Sequence, residues 1–180
     1  LHSEPNQPIA LHRLGIIAHH TGENETAVVL IRKAVAIEPR DYHAHNNLGH
    51  ILRGLGRLDE AVDSCSKALN IHPDFTEAHN NLGIAFYELG RHHDAIASYK
   101  KALAIRPDFF EALNNLANVL HESNRSQEAL AIFNKALAIH PENALLHNNI
   151  GITLNSMGRY EEAASSYSRA LAKDGNYAEA

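Results

Sequence analysis

The chain has 180 residues, of which 44% are hydrophobic and 21% charged, a composition typical of an ordered globular protein. Its net charge of −5, with 16 Lys and Arg residues spread along the sequence, argues against nucleic acid as a partner. No apolar run reaches the roughly 18–20 residues of a membrane span, so no membrane partner is expected. The single cysteine, Cys65, excludes an internal disulfide and fits a reducing, cytoplasmic location.

Proline marks an internal repeat of 34 residues. Such a period is the signature of an array in which each repeat buries its apolar faces against its neighbours. The prolines in this series are Pro5, Pro39, Pro73, Pro107 and Pro141. The sequence therefore predicts five repeats, at residues 8–41, 42–75, 76–109, 110–143 and 144–177. Residues 1–7 align with the tail of a preceding repeat, and residues 178–180 with the start of a further one.

The sequence of each repeat predicts two helices, called here the first and the second helix. Positions are counted from the start of the repeat, and the turn between the helices is at position 15. Glycine or asparagine at this position suits the left-handed conformation that ends a helix. The turn residues are Gly22, Gly56, Gly90, Asn124 and Gly158. Proline at position 32 then ends the second helix. Repeat five has Lys173 at position 30 and Gly175 at position 32, so we expect its second helix to end differently.

Small and large residues alternate in a pattern that predicts close helix packing. Position 7 is Leu or Ile, position 8 is Gly or Ala, and alanine fills positions 20 and 27 in all five repeats. Position 24 holds Ile31, Cys65, Tyr99, Phe133 and Tyr167. Cys65 in this slot predicts a buried structural thiol rather than a nucleophile. The position 4 histidines, His45, His79 and His147, are expected to pack between repeats.

This 34-residue unit, with Leu-Gly at positions 7 and 8, Ala at 20 and 27, a large residue at 24 and Pro at 32, resembles the tetratricopeptide repeat (TPR). The resemblance covers essentially the whole chain. It implies an all-α fold, an α-solenoid of antiparallel helix pairs stacked into a right-handed superhelix. It also implies a concave groove, lined by the first helices, that receives a protein or peptide ligand.

Paired asparagines at positions 5 and 6 of the first helix are the principal candidate site residues. An interior asparagine costs a helix roughly 0.5 kcal/mol relative to alanine, so eight at equivalent positions require compensating hydrogen bonds. They are Asn46, Asn47, Asn80, Asn81, Asn114, Asn115, Asn148 and Asn149, and repeat one has His12 and Arg13 instead.

Two interpretations of these asparagines stay open at the sequence level. In one, they are polar ties between neighbouring repeats. The other follows from a resemblance, in the Asn-Leu-Gly segments and overall spacing, to the TPR array of O-linked N-acetylglucosamine transferases, where an asparagine ladder grips a peptide backbone. Such binding tolerates any ligand sequence, because an amide both donates and accepts hydrogen bonds. Carried over by position, the ladder is Asn47, Asn81, Asn115 and Asn149, broken by Arg13 in repeat one.

Specificity is expected from the remaining concave positions 2, 5, 9, 12 and 13. Near the start these positions hold His12, His19, His43, His50 and Arg53. Further along they hold Glu77, Tyr87, Glu88, Glu111, Asn118, His121 and Glu122. This change from histidine-rich to acidic predicts a ligand with positive charge in its middle section.

Other functional classes find little support in the sequence. No His-x-x-x-His pair, phosphate loop or nucleophile elbow is present, so we expect no metal, no cofactor and no enzymatic activity in these residues. Two alternative roles remain open. One is the substrate-selecting arm of a larger glycosyltransferase-like or sulfotransferase-like enzyme. The other is a self-assembling scaffold that associates end to end through uncapped repeats.

Overall fold

The structure, a computed structural model, describes residues 7–173, and this range contains ten α-helices and no β-strand. The helices are α1 (Gln7–His20), α2 (Asn24–Ile37), α3 (Tyr42–Gly54), α4 (Leu58–Ile71), α5 (Thr76–Glu88), α6 (His92–Ile105), α7 (Phe110–Glu122), α8 (Ser126–Ile139), α9 (Ala144–Ser156) and α10 (Tyr160–Lys173). The odd-numbered helices are the first helices of the repeats, and the even-numbered ones are the second helices. None of these ten helices is long and apolar enough to cross a membrane.

The chain divides within α6 into two compact bodies, with the boundary between Ser98 and Tyr99. In the amino-terminal body, α1 packs on α2, α3 packs on α4, and each of the second helices α2 and α4 also contacts the next first helix. The first helices α1, α3 and α5 contact one another in sequence. In the carboxy-terminal body, α7 pairs with α8 and α9 pairs with α10, and α9 contacts both α7 and α8.

The turns between paired helices have the predicted left-handed residue. At Gly22 the φ angle is 86°, and its N–H donates to His19 O over 3.0 Å. The Glu23 N–H donates to Ala18 O over 2.8 Å, which completes a Schellman motif. The same pair of hydrogen bonds recurs in the other four repeats, at Gly56, Gly90, Asn124 and Gly158. The turn prediction is therefore confirmed, including the one asparagine.

Proline sets the ends of the second helices as the sequence predicts. Helices α2, α4, α6 and α8 each end two residues before the proline of position 32. This follows because the residue before a proline is disfavoured in the helical conformation. Helix α10 reaches Lys173, the position where the other four end. The altered ending expected at Gly175 lies outside the described residues.

Close packing within each helix pair depends on the small residue at position 8, which is alanine in repeat four and glycine in the other repeats. A Cβ atom on Gly49 would lie 2.5 Å from Cys65 Sγ and 3.1 Å from the backbone oxygen of Ala61. In repeat five, a Cβ atom on Gly151 would lie 2.6 Å from Tyr167 Cε1. The first helix therefore sits directly against the position 24 side chain, as the small residue predicts. The alanines at positions 20 and 27 are buried in all five repeats.

The position 4 histidines join each first helix to the end of the preceding second helix. His45, His79 and His147 are buried, as expected. Their Nε2 atoms donate to the backbone oxygens of Pro39, Pro73 and Pro141, over 3.1, 2.8 and 3.0 Å respectively. The sequence predicted the burial of these imidazoles but not the proline carbonyls that they bind.

Candidate functional site

The asparagine pairs lie on the first helices, and in repeats two and three the two members of each pair differ in burial. At position 5, Asn46 and Asn80 are buried, whereas Asn114 and Asn148 are half-buried. At position 6, Asn47, Asn81, Asn115 and Asn149 are all half-buried. The predicted ladder residues therefore keep some access to solvent, while two of their neighbours contribute to the packed interior.

In the amino-terminal body, the side chain at position 6 of one repeat forms a hydrogen bond with the side chain at position 5 of the repeat before it. Asn81 Nδ2 donates to Asn46 Oδ1 over 2.9 Å. Asn47 Nδ2 lies 2.9 Å from His12 Nε2, because histidine takes the position 5 place in repeat one. Arg13, at position 6 of the same repeat, is exposed. These contacts place polar ties between the first helices, as one of the two sequence interpretations supposed.

The carboxy-terminal body repeats the arrangement with longer contacts. Asn149 Nδ2 lies 3.4 Å from Asn114 Oδ1 and 3.5 Å from Asn118 Oδ1. Asn118, a predicted groove residue, is thus brought next to the ladder. The amide of Asn149 is shared between two acceptors at the upper limit of hydrogen-bond distance. The tie is therefore weaker here than between Asn81 and Asn46.

His12 connects the first tie to the start of the next repeat. Its Nδ1 lies 3.3 Å from Asp41 Oδ2, and Asp41 Oδ1 accepts a 2.9 Å hydrogen bond from the Ala44 N–H at the start of α3. Burial lowers the pKa of His12 and outweighs the opposing effect of Asp41. The neutral ring carries its proton on Nδ1, towards Asp41, and accepts the Asn47 N–H at Nε2.

The other predicted groove residues fall into separate local contacts. Arg53 Nη1 pairs with Glu88 Oε1 over 2.7 Å, so one acidic residue of the predicted charge gradient is already neutralised. The Tyr87 ring stacks on His92, with centroids 5.6 Å apart. His50 is exposed. His43 is exposed beside the Tyr42 and Phe75 rings, Glu111 and Glu122 are exposed, and Glu77 and His121 are half-buried.

Neither a metal-binding cluster nor a reactive thiol is assembled in residues 7–173. No group of three or more His, Cys, Asp or Glu side chains in that range could hold a metal ion. Cys65 is buried, and burial raises the pKa of its thiol to about 12. A thiol with this pKa stays protonated near neutrality and is a poor nucleophile. The predicted burial of Cys65 is confirmed.

Family models for the tetratricopeptide repeat match residues 40–108, 80–144 and 132–164. Together they run without a gap from residue 40 to residue 164, a range that includes most of the turns, inter-repeat ties and proline-ended helices. The chain belongs to the tetratricopeptide-repeat family. No curated protein sequence matches it at a significant level.

Solved structures agree with this assignment. A crystal structure of MamA has a TM-score of 0.86 and 20% identity, and the match covers 98% of this chain and 96% of that one. MamA from Desulfovibrio magneticus RS-1 has a TM-score of 0.87 at 17% identity, over 95% and 97% of the two chains. YrrB, described as a TPR protein with an unusual peptide-binding site, has a TM-score of 0.78 at 20% identity, over 93% and 87%.

The comparisons confirm the predicted fold class, an all-α solenoid of TPR helix pairs. The protein is a TPR protein-interaction module. The finer resemblance to the repeat array of O-linked N-acetylglucosamine transferases stays a prediction.

Proposed function

We propose that this TPR module binds an extended protein or peptide segment along its first helices, and that the position 6 asparagines grip the backbone of that segment. The supporting observation is which atoms of these side-chain amides are already hydrogen-bonded. Asn47, Asn81 and Asn149 each use Nδ2 in a contact with the preceding repeat. Their Oδ1 atoms have no hydrogen-bond partner among residues 7–173. An amide held by its nitrogen can still accept an N–H from a ligand.

The inter-repeat tie and the binding ladder are therefore compatible roles of one side chain. The tie fixes the rotamer of the amide before a ligand arrives, which reduces the conformational entropy lost on binding. Adjacent packed helices lie about 8–10 Å apart, and an extended chain advances about 3.3 Å per residue. Within one body, successive amides would thus bind about every third peptide unit, whatever the side chains of the ligand.

Backbone contacts alone give only modest affinity. One net hydrogen bond contributes about 1 kcal/mol, so four amides supply roughly 4–8 kcal/mol even if each makes two bonds. Micromolar affinity requires about 8 kcal/mol after the cost of association is met. Side-chain contacts at other first-helix positions must therefore contribute.

Affinity enrichment from a lysate of the source cells tests the proposal. The wild-type chain is compared with a variant in which Asn47, Asn81, Asn115 and Asn149 are all replaced by alanine. We expect the captured partners to be lost from the variant. The matched control has alanine in place of Asn70 and Asn134, which are exposed asparagines on the second helices α4 and α8. This control should still capture the partners.

A second pair of variants separates the tie from the ladder. Asn46→Ala removes the acceptor of the tie but keeps the Asn81 amide, whereas Asn81→Ala removes both. If the amide binds ligand, Asn81→Ala weakens partner capture more than Asn46→Ala does. Equal capture by both variants and by the fourfold variant, at equal folded fraction, would show that the asparagines are structural ties only.

End-to-end self-association is a second candidate, favoured by the first repeat. Position 7 is 52% exposed at Leu14 and half-buried at Leu82, but only 5% exposed at Leu48 and Ile150 and 2% at Leu116. A second copy could cover Leu14 with its helix α10, where Leu171 is 47% exposed. Sedimentation over a range of concentrations tests this association, and Leu14→Glu should abolish it. A monomeric mass at every concentration excludes it.

A role as the substrate-selecting arm of a glycosyltransferase-like or sulfotransferase-like enzyme would use the same first-helix surface. It stays a prediction, and sequencing the parent gene tests it directly, since that role requires a catalytic domain in the same polypeptide.

A further inference from the structure

A cavity of about 200 Å³ lies between α1 and α3 in the amino-terminal body. Its walls are formed by Ile16, His19, His20, Asn47, His50 and Ile51. The cavity therefore combines one ladder asparagine with three imidazoles, and no acidic side chain lines it. Its volume is sufficient for one amino-acid side chain of a bound peptide.

The histidines in this cavity lie against one another. The His19 and His50 rings meet edge to face with centroids 5.5 Å apart, and His20 is 5.8 Å from His19. His19 Nδ1 donates to Asn24 Oδ1 over 2.7 Å, which leaves Nε2 for other contacts. Neither ring nitrogen of His50 has a partner among residues 7–173. These atoms become hydrogen-bond donors when the rings are protonated.

We propose that this histidine cavity receives a carboxylate side chain, Asp or Glu, of a peptide bound on the first helices. The proposal rests on the proposed function and adds the chemistry of one ligand residue. It is argued from charge complementarity: three imidazoles and no acidic side chain line the cavity, and protonated imidazoles would complement an anion. Asn47 lies in the same wall, so the carboxylate and the backbone held by the ladder would belong to one peptide.

The groups that act on His50 give a positive local field. On α3 the group is Arg53, whose partner Glu88 lies on α5, and on α1 it is His19; His20 lines the same cavity. Farther along α1, His12 is already engaged by Asp41. Partial burial of the ring, the Arg53 charge and His19 together lower the pKa of His50. A ligand carboxylate would oppose this field and raise the pKa of His50.

Binding of the carboxylate should therefore take up a proton. Between the pKa of free His50 and its higher pKa in the complex, the complex holds more protons than its separated components. Affinity for an acidic peptide then rises as pH falls through this interval, by at most about tenfold per pH unit for one proton. A peptide with an uncharged side chain gains nothing from that proton.

The test measures weak binding of three blocked pentapeptides to the whole chain by NMR, at about pH 7.5 and about pH 5.5, on either side of the ordinary histidine pKa. The probes are acetyl-Ala-Ala-Xaa-Ala-Ala-amide with Glu, Gln or Phe at the central position. We expect the Glu peptide to shift the imidazole resonances of His19 and His50 and to bind more tightly at the lower pH. His50→Gln should remove this pH dependence, and the exposed His93→Gln on α6 should not.

Other outcomes overturn the inference in distinguishable ways. If all three peptides shift the Asn47 and Asn81 amide resonances with equal, pH-independent affinity, the ladder stands and the carboxylate site is wrong. Preferential binding of the Phe peptide would identify the cavity as an aromatic pocket. If no peptide shifts either set of resonances at about 10 mM, well above a millimolar dissociation constant, both the cavity and the ladder are contradicted.

Discussion

Asn81 donates a 2.9 Å hydrogen bond to the side chain of Asn46, one repeat earlier in the chain. Asn46 is only 7% exposed, so its Oδ1 atom cannot easily exchange this partner for water. The bond joins two first helices that also contact each other, α3 and α5. It is thus part of the interface on which the cooperative folding of a repeat array depends.

Removing this bond should destabilise the protein in a characteristic, non-additive way. Asn46→Ala and Asn81→Ala should each lower the free energy of unfolding by about 1 kcal/mol. The double variant should lose less than the sum, because both changes delete the same bond. Urea denaturation of the four proteins measures the coupling, with exposed Asn70→Ala as the control. Strict additivity would show that the two side chains do not interact.

Gly49, at position 8 of repeat two, should not tolerate a methyl group. In Gly49→Ala the new Cβ would overlap Cys65 Sγ and press on the Ala61 backbone oxygen. We expect a loss of about 1–3 kcal/mol in the free energy of unfolding. Gly54→Ala is the matched control, since its Cβ would meet no atom within 4 Å. It should be neutral or stabilising, by up to about 1 kcal/mol. Equal stability of the two variants would contradict the close packing at Gly49.

The Cys65 thiol should react only when the protein unfolds. Its pKa of about 12 and its burial leave almost no accessible thiolate in the native state. Alkylation by iodoacetamide should therefore be slow in buffer and should accelerate with urea in parallel with unfolding. Rapid modification of the native protein, with circular dichroism unchanged, would show that the thiol is accessible.

Mild acid should destabilise the protein through His12. Its pKa is lowered in the folded state, so the unfolded chain binds a proton at a higher pH than the folded one. The contribution of His12 to stability is present above about pH 6.5, the ordinary histidine value, and is lost as pH falls towards its folded pKa. In His12→Asn, which restores the asparagine of other repeats, the melting temperature should fall less between about pH 7.5 and pH 5.5.

His50 contributes to the same acid sensitivity because its pKa is also lowered. His12→Asn alone should therefore reduce the pH dependence, and the double variant with His50→Gln should reduce it further. His93→Gln controls for the general loss of a titratable histidine. A melting temperature that falls equally in all of these variants would contradict the assignment.

Much of the fold could be predicted because residues within each repeat determine where its helices end. Gly22 and Asn124 have a conformation that few other residues adopt, and Pro39 restricts the residue before it, so local chemistry determines the turn and the helix end. The close approach at Gly49 was predictable for the same reason, since only a small residue fits against position 24.

The partners of the polar side chains could not be predicted from their own repeat. The bond from His79 to the Pro73 carbonyl and that from Asn81 to Asn46 both cross a repeat boundary, and their geometry depends on how successive helix pairs stack. The sequence identified asparagines that required hydrogen bonds. It did not show that one amide nitrogen would be used between repeats while the oxygen remained available.

The proposed binding surface is tested most directly by photocrosslinking at two matched sites. Ile152, at position 9 of the first helix α9, is 43% exposed, and Val29, on the second helix α2, is 51% exposed. Each is replaced in turn by p-benzoylphenylalanine, and the chain is irradiated in source-cell lysate. We predict covalent capture of partner proteins from position 152 and none from position 29. Equal capture at both positions, or capture at position 29 alone, would contradict binding along the first helices.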